Sequence, residues 1–191
     1  MGSLRYDETP LWLLPRSTAA WRETRRLRLR LPALEDAAGV AAYGSDPDVC
    51  RYVSWPRHRS LADAEAFLTY AIGAAEKNLE HNWVIVDRAT SAIAGTIGLR
   101  IQGHRRELGY ALARRWWGQG VATEAAEAVV AWALAQPEVV RVWAVCDVDN
   151  AASARVLEKI GMQREGRLAR WAVMPNAGGA ARDCWCYARV K

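Results

Sequence analysis

Residues 107–134, ELGYALARRWWGQGVATEAAEAVVAWAL, constrain the fold of this chain more than any other stretch. A short apolar run, Leu108 to Ala113, leads into the basic, aromatic turn Arg114-Arg115-Trp116-Trp117. Gly118-Gln119-Gly120 comes next, and then a run of Ala, Glu and Val with the composition of a helix. A strand, a glycine turn and a helix N-terminus, in that order, make a place for phosphate. The first amides of such a helix have no partner within it, and its dipole favours negative charge there. The expected ligand is a diphosphate-bearing cofactor. The alternative is a plain strand-to-helix connection.

Around this stretch, period and punctuation set the order of elements. Leu27, Leu29 and Leu31 alternate with Arg26, Arg28 and Arg30, which predicts a half-buried strand over 25–31 that Pro32 ends. An Ala-rich helix is expected over 34–43, then an irregular segment from Asp46-Pro47 to Ser60. Ser60 has the character of an N-cap, with Asp63 in the first turn of a helix running to about Lys77. Strands are expected over 83–87, 95–101 and 107–112, and the central helix over 121–135, stopped by Pro137. A strand over 141–146, a helix over 151–160 and strands over 163–172 and 183–190 complete the chain. A meander followed by a crossover helix predicts a mixed α/β fold of the α+β type. Its sheet is strongly twisted, with about six to seven strands and helices on both faces.

The length of 191 residues suits one domain with a substantial core. Residues 1–22 have no clear period and read as an N-terminal extension to a single domain over 23–191. The segment PLWLLP (10–15) is too short for a signal peptide, and no stretch is long enough to span a membrane, so no membrane partner is expected. Cys50, Cys146, Cys184 and Cys186 form neither a disulfide framework nor a zinc site. A reducing, cytoplasmic setting and no metal are the expectation. The net charge of +5 suits an acidic ligand but does not by itself predict nucleic acid. The ten tryptophans are expected as core and pocket walls.

Two familiar phosphate loops are excluded. A Walker loop needs Gly-Lys-Ser/Thr, and Gly120 is followed by Val121. A dinucleotide fingerprint needs a third glycine where Thr123 stands, early in a parallel series. What remains is Arg115-x-x-Gly118-x-Gly120, between a strand and a helix. This pattern resembles the pyrophosphate loop of the GNAT acetyltransferase superfamily. ELGYALARRWWGQGVATEA is similar to the subgroup containing the ribosomal-protein N-terminal acetyltransferases. DNAASARVLEKIGM followed by REGRL, and LRLRLPALEDA near the start, resemble other motifs of that subgroup in the same order. The resemblance runs from about Arg25 to the C-terminus.

The resemblance implies acetyl-CoA as co-substrate and a set of residues around it. Backbone amides across Gly118, Gln119, Gly120, Val121 and Ala122 would hold the pyrophosphate, with Arg115 and Thr123 flanking them. The backbone of Leu112 and Ala113 would pair with the pantetheine arm like an added strand. Asn150 is an N-cap on sequence grounds, and the resemblance adds contact with the same arm. It also places Ser153 near the acetyl sulfur. Where the superfamily often has an acidic tyrosine four residues on, this chain has Leu157. Ser153, or a water it holds, is then the remaining acid.

Glu107 is the first choice for a base, with a surface ion pair to Arg105 or Arg106 as the alternative. Tyr52, Trp55 and Asp183 fall in regions that flank the acceptor cleft of the resembling subgroup. The expected reaction is direct attack of an amine on acetyl-CoA, with Cys146 a core residue and not a nucleophile. The amine is expected to be a protein N-terminus, with a small amine or a CoA-binding module without catalysis as alternatives. A monomer or homodimer is expected.

Overall fold

The computed structural model describes residues 21–191. The expected N-terminal extension lies outside the described residues up to residue 20. Strand β1 (Trp21–Glu23) opens the described chain, and β2 (Leu27–Arg30) keeps the expected alternation, with Leu27 and Leu29 fully buried. A 3-10 turn precedes α1 (Ala37–Gly44). The segment expected to be irregular contains a one-turn helix, α2 (Pro47–Cys50). Pro47 sits at its start, where a missing N–H costs nothing, and the Asp46 side chain accepts from the Asp48 amide. Helix α3 (Leu61–Glu76) follows. The amides of Arg59 and Ser60 both donate to the Asp63 carboxylate at its start.

Strands β3 (Glu80–Asp87), β4 (Ile93–Gln102) and β5 (Arg105–Leu112) form the meander. Helix α4 (Val121–Ala135) ends one residue before Gln136, which is extended as a residue preceding proline must be. Then come β6 (Arg141–Asp147), α5 (Ala151–Lys159), β7 (Gln163–Val173) and β8 (Ala181–Val190). Among the described residues the sheet has eight strands in the order β1-β2-β3-β4-β5-β6-β8-β7. One strand more than the expected upper count arises from β1, whose three residues are too few to show a period. Every neighbouring pair is antiparallel except β5–β6.

Helices cover both faces, and the alternation along β5 shows how. Leu108, Tyr110 and Leu112 join the cluster under α4 and α5, with Val121, Ala125, Val129, Leu157 and Ile160. Ala111 joins the opposite cluster, with Val40 and Tyr43 of α1 and Ala64 and Leu68 of α3. Trp132 of α4 meets Trp83 of β3 edge to face at 5.4 Å. Each buried leucine in these layers contributes about 2 kcal/mol. Among the described residues no helix is long and apolar enough to cross a membrane.

Candidate active site

The sheet splits along the parallel pair. Strands β5 and β6 are in register only at Arg105–Arg141, Arg106–Val142 and Glu107–Trp143. Beyond them the strands separate, and a cavity of about 1280 Å³ opens, lined by Leu108 to Leu112 on one side and Ala144 to Cys146 on the other. The cavity touches both faces of the sheet, Val121 and Ser153 on one and Glu107, Arg100 and Tyr70 on the other.

The split leaves backbone groups unpaired. The Ala113 amide donates to the Ala94 carbonyl at 2.8 Å, so odd-numbered residues of β5 bond to β4. Leu108 still pairs with β6 through the Glu107–Trp143 bridge, and Tyr110 and Leu112 turn their N–H groups toward the gap. The expected pairing of Ala113 with an arm in the gap is corrected on this point. Its N–H faces β4, its carbonyl accepts from Trp116 N, and it does not line the cavity. The Leu112 carbonyl accepts from Trp117 Nε1 at 2.9 Å.

The glycine turn stands at the mouth of the gap. Gly118 and Gly120 have φ of 73° and 76°, the left-handed region that penalises a side chain. A methyl on Gly118 would meet no atom within 4 Å, so the turn is open to a ligand. The first intrahelical bond of α4 runs from Glu124 N to Gly120 O, which leaves the amides of Val121, Ala122 and Thr123 without a helical acceptor. Gly118, Gly120, Val121, Ala122 and Thr123 all line the cavity.

Arg115 and Gln119 do not line it. Arg115 donates to the Ile93 carbonyl, and Gln119 donates to the Arg115 carbonyl. Both brace the turn from behind. Arg26 binds the Gln119 carbonyl at 2.9 Å and the Glu124 carboxylate at 2.7 Å. Beside the turn, Arg26, Lys159 and Arg189 line a second, shallow hollow with Glu124 and Glu127, which pair with Arg26 and Arg189 and leave Lys159 as its unpaired charge among the described residues. Open amides and nearby cations fit a diphosphate.

Helix α5 supplies the opposite wall. The Asn150 side chain accepts from the Ser153 amide at 3.2 Å, the expected N-cap. Ser153 Oγ lies 2.9 Å from the hydroxyl of Tyr110. Sequence reasoning passed over Tyr110, whose only signal was a polar tip in an apolar run. Burial raises the Tyr110 phenol, so it stays protonated. Leu157 is 1% exposed and belongs to the core. Burial, with the charges of Cys184 and Asp147, pushes the Cys146 thiol up to about 12. A thiol so raised is a poor nucleophile near neutral pH.

On the other face, Glu107 accepts from Arg100 Nη1 at 3.3 Å and Gln102 Nε2 at 3.1 Å. Its partners are these two, not Arg105 or Arg106. Glu107 and Glu80 both pair across the sheet with Arg100, and Tyr70 of α3 donates to Glu80 at 3.0 Å. Asn82, 7% exposed, lies on the same face and lines the cavity.

Tyr52 and Trp55 line the cavity as expected. Trp55 stacks near His58, whose imidazole is lowered by burial against the opposing charge of Asp63. Asn176 fastens this loop: it donates to the carbonyls of Cys50 and Trp55 and accepts from Arg57 N. Asp183, expected beside the acceptor, does not line the cavity. It accepts from the Arg170 amide at 2.7 Å and pairs with Arg167, holding the irregular part of β7 against β8.

Known proteins share this arrangement. Residues 26–163 match the model of the acetyltransferase (GNAT) domain. The chain is 33% identical over 172 residues to the uncharacterized N-acetyltransferase YoaA of Bacillus subtilis, covering 88% of this chain and 96% of that protein. The crystal structure of a GNAT-family acetyltransferase from Bacillus anthracis superposes with a TM-score of 0.79 at 27% identity, covering 89% of this chain and 98% of the other. The ribosomal-protein-S5-alanine acetyltransferase of Vibrio fischeri shares the fold with a TM-score of 0.77 at 22% identity, over 90% and 96% of the two chains. With a family match over most of its length and the split sheet and glycine turn in place, the chain belongs to the GNAT acetyltransferases, enzymes whose acetyl donor is acetyl-CoA.

Proposed function

We propose that this acetyltransferase acts in the cytoplasm on the α-amine of a protein or peptide N-terminus, with Glu107 as its base. The observation that carries the proposal is the cavity's emergence on the face away from the glycine turn, beside Glu107. At about 1280 Å³ it exceeds the roughly 300–1,000 Å³ of a pocket for one small ligand. It has room for a donor arm on one side and a chain end on the other. The Vibrio fischeri structure with the same fold carries a ribosomal-protein acceptor in its name, and another of the same fold is named a ribosomal L7/L12 alpha-N-protein acetyltransferase, which supports the same class of acceptor here.

Acetyl-CoA supplies a reactive acetyl thioester. The open amides of Val121, Ala122 and Thr123 bind its diphosphate, and Gly118 and Gly120 leave the approach clear. Asn150 fixes the start of α5 and with it the position of Ser153. An incoming ammonium must lose a proton before it can attack, and Glu107, directly or through water, accepts that proton. The inward N–H groups of Tyr110 and Leu112 offer hydrogen bonds to an acyl oxygen as charge grows on it. Ser153, bonded to the protonated Tyr110, offers a hydroxyl proton to a leaving thiolate.

The test is thiol release on a panel of short peptides, their N-terminally blocked forms, polyamines and aminoglycosides. Turnover on free peptides and none on blocked ones is expected. Turnover confined to the small amines would overturn the acceptor class. Acetyl-CoA at 100 times its Kd should stabilise the fold by about 2.7 kcal/mol, read as a higher Tm.

A further inference from the structure

Asn82 is a buried polar side chain with an unmet hydrogen-bond donor. It lies on β3 within the run EHNWVIVD and is 7% exposed. Its Nδ2 has no hydrogen-bond partner among the described residues. An amide donor withdrawn from water and left unpaired is costly, so a retained one points to a group supplied from outside the chain.

The neighbouring strands are shaped around it. Asn82 pairs with Gly98 of β4, and Gly98 pairs with Gly109 of β5, so one row across the sheet carries a single side chain. That side chain lies flat across the first glycine: a methyl on Gly98 would come within 2.3 Å of Asn82 Oδ1. A methyl on Gly109 would meet nothing within 4 Å. The row is therefore a bare trough that ends at the gap, with the Asn82 carboxamide as its polar group. Asn82, Gly98 and Gly109 all line the cavity.

The adjacent row on the same face is Glu80–Arg100–Glu107. Glu107 and Gly109 are two positions apart, about 7 Å along an extended strand. A base on β5 and a neutral donor on β3 thus stand in adjacent rows of one surface, with the Asn82 side chain lying over Gly98 of the strand between them. An N-terminal residue presents matching groups: an α-amine and, two bonds away, the carbonyl of its first peptide bond. Polyamines and simple alkylamines have the amine and no carbonyl.

We propose that Asn82 binds the first carbonyl of the acceptor peptide and so selects N-terminal α-amines over amines that lack one. The proposal rests on the protein-amine acceptor proposed above. Its physical basis is that a site built to hydrogen-bond a polar group rejects the analogue lacking it far more strongly than an apolar site rejects a change of size.

The test uses the full chain, acetyl-CoA and two acceptors: a short peptide with a free α-amine, and the same peptide with its first peptide bond replaced by an alkene. The quantity read is the ratio of the two kcat/KM values. Differences in amine basicity cancel when that ratio is compared between variants. The intact protein is expected to favour the peptide at least tenfold. Asn82→Ala, and Asn82→Leu of similar shape, should bring the ratio within about threefold of unity, through KM for the peptide and with acetyl-CoA affinity unchanged. Gly98→Ala, which displaces the Asn82 side chain, should do the same. A variant that folds poorly loses total activity but still reports the ratio. A strong preference for the peptide that survives both Asn82 substitutions would overturn the role of Asn82 alone. A protein that acetylates the alkene analogue and simple amines as well as the peptide, before any substitution, would overturn the acceptor class itself.

Discussion

Tyr110 and Ser153 join the two sides of the split sheet, the phenol of one on β5 lying 2.9 Å from the hydroxyl of the other on α5. The contact places two protonated groups where the strands have parted and where the chain has Leu157 and not a tyrosine. If the pair works as a unit, the effects of removing its members do not add. Ser153→Ala should lower kcat by about 10²-fold and Tyr110→Phe by about tenfold. The double variant should fall no further than Ser153→Ala. Steady-state kinetics on the three proteins, with acetyl-CoA affinity measured separately, check this.

The glycine turn gives a sharper binding prediction. Gly118→Asp or Gly120→Asp adds a negative charge at open amides and puts a side chain at a φ above 70°. Donor binding should weaken at least about 100-fold, which is roughly 2.7 kcal/mol. Titration calorimetry with CoA reads this directly. An affinity within threefold of the parent would remove the turn from the donor site.

Glu107→Gln keeps the size of the side chain and removes its capacity to accept a proton. Turnover should fall by about 10²-fold with donor affinity unchanged, and part of the loss should return at high pH, where more acceptor amine is already neutral. A pH–rate profile that overlays the parent's would show that the proton leaves by another path.

Acid should unfold the protein through identifiable carboxylates. Burial pushes Asp147 up, but the Arg182 bond, the Asp149 amide and the Arg182 charge together outweigh it and hold Asp147 below its usual value. Asp36 is likewise lowered, burial being outweighed by Arg30 and the Ala33 amide, and Glu124 by Thr24 and Arg26. A carboxyl depressed in the folded state stabilises it above the unfolded pKa. That contribution is lost as pH falls below 4.5 for Glu124 and below 3.8 for the aspartates. Arg182→Ala strands the carboxylate of Asp147, whose side chain has no exposed surface, and should cost about 3 kcal/mol at pH 7. Urea unfolding at pH 7 and pH 3 measures both effects, and the variant should lose less between the two pH values than the parent.

Legibility in the sequence followed locality. The donor side is built from contiguous residues, 118–123 and 150–153, so the motif and its structural setting could be read together. Alternation of leucine and arginine along β2 also marks its inner face in the sequence alone. The acceptor side is assembled by register. Glu80, Asn82, Arg100 and Glu107 come from three strands, and nothing in the sequence aligns Asn82 with two glycines. The bonding of Asp183 was not legible, because loop composition does not say which way a carboxylate turns. The Arg170 amide and the Arg167 guanidinium draw it into the β7–β8 hairpin. Helix α2 was hidden because Asp46-Pro47 reads equally as a turn or as the cap and first residue of a helix.

Arg26 ties the edge of the sheet to the glycine turn. Its backbone amide and guanidinium both bind Glu124, and the guanidinium also holds the Gln119 carbonyl. Strands β1 and β2 cannot peel away without releasing the loop, and a ligand that immobilises the loop raises the free energy of that opening. Amide exchange at the sheet's far edge thus becomes a remote meter of donor occupancy.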